Sequence, residues 1–164
     1  MIRFKLVRTL MTASPLLLAL LLGTQMSGFG QESDSAKIAR LLNETGTKMT
    51  KTADSTWTIE YEGKSMKDIT VGVTFGDGIL VTYARITESK GVKFSTQVLE
   101  KLLQLNFTFD RVKVGIDKEA IIFVRTDMTV RTLDKEELSA GIEQVAAAAD
   151  ETHKVLRSHL PKAK

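Results

Sequence analysis

The sequence predicts a single α+β domain, an antiparallel five-stranded sheet flanked by helices in the order α-β-β-β-α-β-β-α. Three observations predict it. Short runs alternate apolar and polar residues and are joined by tight turns, as antiparallel hairpins require. Three other segments carry apolar residues at helical spacing instead, one at each end of this region and one in its middle. No linker, low-complexity tract or internal repeat divides residues 31–164, a length sufficient for one domain with its own core.

The first helix follows the polar stretch Gln31-Glu32-Ser33-Asp34-Ser35, in which Ser33, Asp34 or Ser35 can cap the free amides of a first turn. Ile38, Leu41 and Leu42 form its apolar side, and Gly46 is a suitable terminator. Period two then takes over. Trp57, Ile59 and Tyr61 alternate with Thr58, Glu60 and Glu62, and Glu62-Gly63-Lys64 breaks the run. Ile69, Val71, Val73 and Phe75 alternate next. Gly76-Asp77-Gly78 is a strong turn signal because these residues accept positive φ. The third strand, Ile79 to Ile86, puts Val81 and Tyr83 on one face and Leu80, Ala84 and Ile86 on the other.

The second helix runs from Ser95, its N-cap, to about Leu105, with Phe94 placed to staple onto Leu99. Val98, Leu99, Leu102, Leu103 and Leu105 make a broad stripe that predicts deep burial, and Asn106 is a stop. Val112, Val114 and Ile116 form a fourth strand, and Asp117-Lys118-Glu119 turns the chain. Ala120 to Val124 is almost wholly apolar, which predicts a central strand covered on both faces. The last helix starts at Asp134, with Glu137 three residues on as in a capping box. Leu138, Ile142, Val145, Ala149 and Leu156 form its stripe.

Residues 1–30 read as a secretory signal peptide. Arg3, Lys5 and Arg8 form a positive start, Leu16 to Leu22 an apolar run, and Gly28 and Gly30 the small residues of a cleavage site. The run is shorter than the roughly 20 apolar residues of a membrane span. This predicts residues 31–164 as the working domain, periplasmic or secreted, with no membrane span once the signal is cleaved.

All 20 acidic residues lie after residue 30, and three of the 23 basic ones lie before it. The domain therefore carries 20 of each sign. A nucleic-acid binder shows a clustered basic surplus, so no nucleic acid is expected as partner. The chain has no cysteine. That excludes disulfides, thiolate catalysis and zinc–thiolate sites, and a lipid-modified cysteine as well.

A search for chemistry finds no catalytic, cofactor-binding or metal-ligating set. His153 and His159 are six residues apart on the last helix, on different faces, and read as solvated. Asp134, Glu136 and Glu137 crowd a helix start, where the macrodipole favours them. Gly72, Gly76 and Gly78 lack the Gly-Lys-Ser/Thr of a phosphate loop. No serine sits in a nucleophile elbow. Asn43-Glu44-Thr45 and Asn106-Phe107-Thr108 match the glycosylation sequon. Trp57, Tyr61, Phe75, Tyr83 and Phe123 all fall on strands, where core packing is their default role. The strands holding Tyr83 and Phe123 look apolar on both faces. One layer of three helices leaves such a face for a partner, a ligand or a second copy of the protein, and Tyr83 and Phe123 are the candidate partner-binding pair.

The element order, and residues Val112 to Leu156 in more detail, resemble the YbjN-like bacterial domain, a family similar in fold to the type III secretion chaperones. The likeness is carried by Val112-Lys113-Val114-Gly115-Ile116-Asp117, Ala120-Ile121-Ile122-Phe123-Val124, Arg131-Thr132-Leu133-Asp134, Glu137-Leu138 and the helix from Ala146 to Asp150. It implies a helix-flanked antiparallel sheet, frequent dimers, and protein-binding or regulatory roles without catalytic residues. The signal peptide sets this chain apart from relatives that look cytoplasmic. The reading is a non-enzymatic extracytoplasmic bacterial protein that binds a protein partner, in a chaperone-like or regulatory role, and is compatible with a homodimer. The alternative is a small-ligand or lipid carrier with an apolar sheet face as one wall.

Overall fold

The structure, a computed structural model, describes residues 32–87 and 94–159. In chain order these form α1 (Asp34–Glu44), β1 (Thr50–Ala53), β2 (Thr56–Glu62), β3 (Asp68–Gly76), β4 (Ile79–Arg85), α2 (Thr96–Thr108), β5 (Lys113–Ile116), β6 (Ile122–Thr129) and α3 (Lys135–Leu156). One antiparallel sheet contains all the strands in the order β1-β2-β3-β4-β6-β5. The α+β class stands, but the sheet has six strands rather than five, and four of them precede α2. The unforeseen strand is β1. Its residues Thr50, Lys51, Thr52 and Ala53 are all exposed, so they carry no alternation to read. The signal peptide expected over residues 1–30 lies outside the described residues.

Local chemistry fixes the element ends. Ser33, Ser95 and Asp134 each accept a hydrogen bond from the third residue beyond, at 3.2, 3.3 and 2.8 Å. The β3–β4 connection is a two-residue turn in which Asp77 and Gly78 both have positive φ, 51° and 74°. That conformation matches the right-handed twist of the strands it joins.

The core lies between one face of the sheet and the helices. α3 packs across β3, β4 and β6, α2 packs on β5, and both α1 and α2 meet α3. Ile59, Val71, Ala84 and Val124 cross the sheet in register and are all but fully buried. Leu138, Ile142, Val145 and Ala149 of α3 are closed from solvent with them. Lys37 Nζ donates to the carbonyls of Val130 and Arg131 at 2.7 and 3.0 Å, tying α1 to the β6–α3 connection.

Two burial expectations are corrected. β6 is interior to the sheet, but the described residues cover one of its faces only. Ile122, Val124, Thr126 and Met128 are buried, whereas Phe123 and Arg125 are half-buried and Asp127 is exposed. The α2 stripe is not deeply buried as a whole. Val98, Leu102 and Leu105 face the protein, but Leu99 is 41% and Leu103 71% exposed. α2 sits over the short edge strand β5, which is too narrow to cover more than one side of a helix.

Candidate functional site

The face of the sheet that no described helix covers is built by alternation. Every second residue of β4 and β6 must point away from the helices. In β4 these are Ile79, Val81, Tyr83 and Arg85, and in β6 Phe123, Arg125, Asp127 and Thr129. Tyr83 stands opposite Arg125 and Arg85 opposite Phe123. The two aromatic residues are therefore diagonal neighbours on adjacent strands, within reach of one another's partners. Both are half-buried.

Glycines on the flanking strands let these rings lie down on the sheet. Gly72 of β3 is opposite Tyr83, and Gly115 of β5 is opposite Phe123. A Cβ on Gly72 would come within 2.6 Å of the Tyr83 ring, and one on Gly115 within 2.6 Å of the Phe123 ring. No methyl group fits beneath either ring. Between them is a hollow of about 330 Å³, lined by Val81, Tyr83, Arg85, Ile121, Phe123 and Arg125, with Asp117 on its rim.

The polar groups around the hollow are unevenly paired. Asp127 holds Arg125 at 2.8 Å and Lys113 at 3.8 Å, so one carboxylate serves two cations. Asp117 turns its Oδ1 inward and accepts from the amides of Glu119 and Ile121 at 2.8 and 2.9 Å. Arg85 is exposed and forms no ion pair among the described residues. The structure thus brings together the two residues singled out from sequence. It adds Arg85 and Arg125, which strand periodicity places beside them on the same face.

A larger groove of about 710 Å³ runs between the β2–β3 connection and α3, with Tyr61, Lys64, Ala147 and Arg157 among its walls. At its side is a clamp. The Asp150 carboxylate accepts from the amides of Ser65 at 2.7 Å and Met66 at 2.8 Å, and Ser65 Oγ lies 2.8 Å from His153 Nδ1. These bonds, that of Met66 first, hold the Asp150 carboxyl below the ordinary aspartate range against the opposing effect of desolvation. His153 is therefore a partnered, half-buried side chain rather than a solvated one. His159 is half-buried too, with Lys101 Nζ 3.3 Å from its Nε2. The Ser65–His153 pair is not arranged for nucleophilic catalysis. The nearby carboxylate is spent on the loop amides rather than on orienting the imidazole, and those same amides are then unavailable to an oxyanion.

A third, apolar hollow of about 360 Å³ lies between α2 and β5, lined by Leu99, Leu103, Val114 and Ile116 among others. Leu99, Leu103 and Phe107 follow one another at intervals of four, and Phe107 is 96% exposed. Asn106 is no helix stop. Its side-chain amide grips the edge strand, accepting from Val114 N at 2.7 Å and donating to Val114 O at 3.0 Å.

The carrier alternative takes an apolar sheet face as one wall of a cavity, and a closed core opposes it: Ile59, Val71, Leu80 and Val124, on the helix-covered face, are each 1% exposed or less. Among the described residues no group of three His, Asp or Glu side chains is placed to hold a metal ion, and no helix is long and apolar enough to cross a membrane.

No family model and no curated protein matches the sequence. Solved structures do match. The type III secretion chaperone SycH of Yersinia pestis, solved with a stable fragment of YscM2, is 13% identical with a TM-score of 0.53, over 73% of this chain and 99% of that one. The heterodimeric ExoU–SpcU complex of the Pseudomonas aeruginosa type III secretion system contains a chain 14% identical with a TM-score of 0.55, over 74% and 98%. YbjN of E. coli is 12% identical with a TM-score of 0.56, over 76% and 93%. These neighbours correct one expectation. The secretion chaperones among them are cytoplasmic proteins, which conflicts with a periplasmic or secreted location. They bear out another: the described residues have the fold of YbjN and the type III secretion chaperones.

Proposed function

We propose that this protein is a non-enzymatic binding module with a chaperone-like role, and that it holds a segment of a partner protein on the open face of its sheet at Tyr83 and Phe123. The observation that carries the reading is that face itself, which no described residue covers and which bears two half-exposed aromatic rings over glycine. Aromatic side chains in shallow hollows are the usual anchors of protein interfaces. The fold is one seen holding partner chains, as in SycH with its YscM2 fragment.

Site-directed photocrosslinking tests it. A benzophenone amino acid at position 83 or 123 of the full chain is expected to give a discrete adduct in the producing cells. The same group at exposed Glu44 of α1 gives none. Adducts absent from both sheet positions, or equal from all three, contradict the proposal.

The exposed α2 stripe supports a second contact, between two copies of this chain. Leu99, Leu103, Phe107 and Ile116 together expose an apolar surface of the kind that monomers rarely leave open. Packed about a twofold axis, it would cover itself. The expected mass in solution, by light scattering, is that of a dimer, and Leu103→Glu is expected to give a monomer. A monomeric parent protein at high concentration contradicts this part.

A further inference from the structure

Resting on the protein-binding reading of the open face, we infer that the segment held there is acidic, with an apolar or aromatic side chain seated between Tyr83 and Phe123 and a carboxylate on Arg85. The hollow is small, at about 330 Å³, near the lower end of the range for binding pockets. It suits one large side chain better than a folded surface. Arg85 stands opposite Phe123, so a carboxylate reaching its guanidinium belongs to a residue close to the seated one.

Around this point the face carries three cations, Arg85, Arg125 and Lys113, against the two carboxylates Asp127 and Asp117. Asp127 is already shared by Arg125 and Lys113, and Asp117 is committed to its own turn. Of these three cations, Arg85 is the one with no ion pair among the described residues. A planar guanidinium in this position accepts a carboxylate in bidentate geometry. A basic segment would meet the surplus of one positive charge and be disfavoured.

A nucleic acid would also offer negative charge and rings to stack, as on other open sheets. Charge balance argues against it. Residues 31–164 have no basic surplus, and Glu60 is exposed on the far end of the same face. Phosphates follow one another at short intervals and need a lane of cations rather than one free arginine.

The test uses the full-length protein and three labelled probes: a random Glu–Tyr copolymer, a random Lys–Tyr copolymer and oligothymidine. Fluorescence anisotropy is expected to show binding of the Glu–Tyr copolymer only. Affinity should fall about tenfold in Arg85→Glu and in high salt, and be largely kept in Arg85→Lys. Arg85 is exposed, so both variants should fold, which circular dichroism verifies. Equal binding of the Glu–Tyr copolymer to parent and Arg85→Glu overturns the inference. So does binding of the Lys–Tyr copolymer or oligothymidine as tightly as the Glu–Tyr one. Failure here is separable from failure of the broader reading. If photocrosslinks at position 83 persist in Arg85→Glu, a protein partner is still held on this face, but not by the acidic chemistry inferred.

Discussion

Asp150 shows how one residue can organise a loop that no pattern in its own sequence would order. The chain from Gly63 to Lys67 has neither helical nor strand periodicity. It is held because a carboxylate on α3 accepts the amides of Ser65 and Met66. Gly63 makes room, since a Cβ there would come within 2.6 Å of the Met66 carbonyl oxygen. The clamp has a pH signature with a definite sign. The folded-state pKa of Asp150 lies below its ordinary value of 3.8, so the unfolded chain binds the proton more readily. The stabilisation is complete above that ordinary value and is lost as pH falls through the lower folded value. In urea unfolding from about pH 7 down to about pH 2, Asp150→Asn should be less stable than the parent at neutral pH, and the gap should close in acid. A gap independent of pH would show that the carboxylate's charge is not what holds the loop. Little of this was legible beforehand. Asp150 and His153 are one helical turn apart, but Ser65 is distant in sequence, and nothing local announces the meeting. Tyr83 and Phe123 were legible, because strand alternation alone sends them to the face opposite Leu80, Ala84 and Val124.

At the scale of elements, pattern was informative where an element faces the core and silent where it does not. β2 and β3 were readable because one side of each is apolar and the other is not. β1 was unreadable because both its sides face water. α2 misled for a related reason. An apolar stripe tells which side of a helix avoids water, not whether this chain or another one covers it. Asn106 sets the joint between α2 and β5. Its amide imitates a neighbouring strand for one residue of an edge strand that is only four residues long. Asn106→Ala leaves the partly buried Val114 amide and carbonyl unpaired, and the expected cost is about 1–3 kcal/mol. Chemical denaturation measures that loss, and faster hydrogen exchange at Val114 should accompany it. Unchanged exchange would mean that β5 does not depend on the clamp.

The whole molecule has two sides of different character. Helices seal one face of the sheet, and the core there is closed. The other face has no cover among the described residues, and its centre is occupied by Tyr83 and Phe123 with cations around them. α+β class, strand alternation and fold family could be read from residues 31–164. Strand count, the exposure of α2 and the location could not, since each depends on what lies beyond the chain's own periodicity. The central claim is that a partner protein covers the open face. Hydroxyl-radical footprinting of the full chain, free and in complex with the partner captured by crosslinking, measures this at side-chain resolution. The account predicts that oxidation of Tyr83 and Phe123 slows severalfold in the complex while Tyr61, at the α3 groove, is unchanged. Tyr83 and Phe123 oxidising at the same rate in both states, with protection appearing at Tyr61 instead, would contradict it.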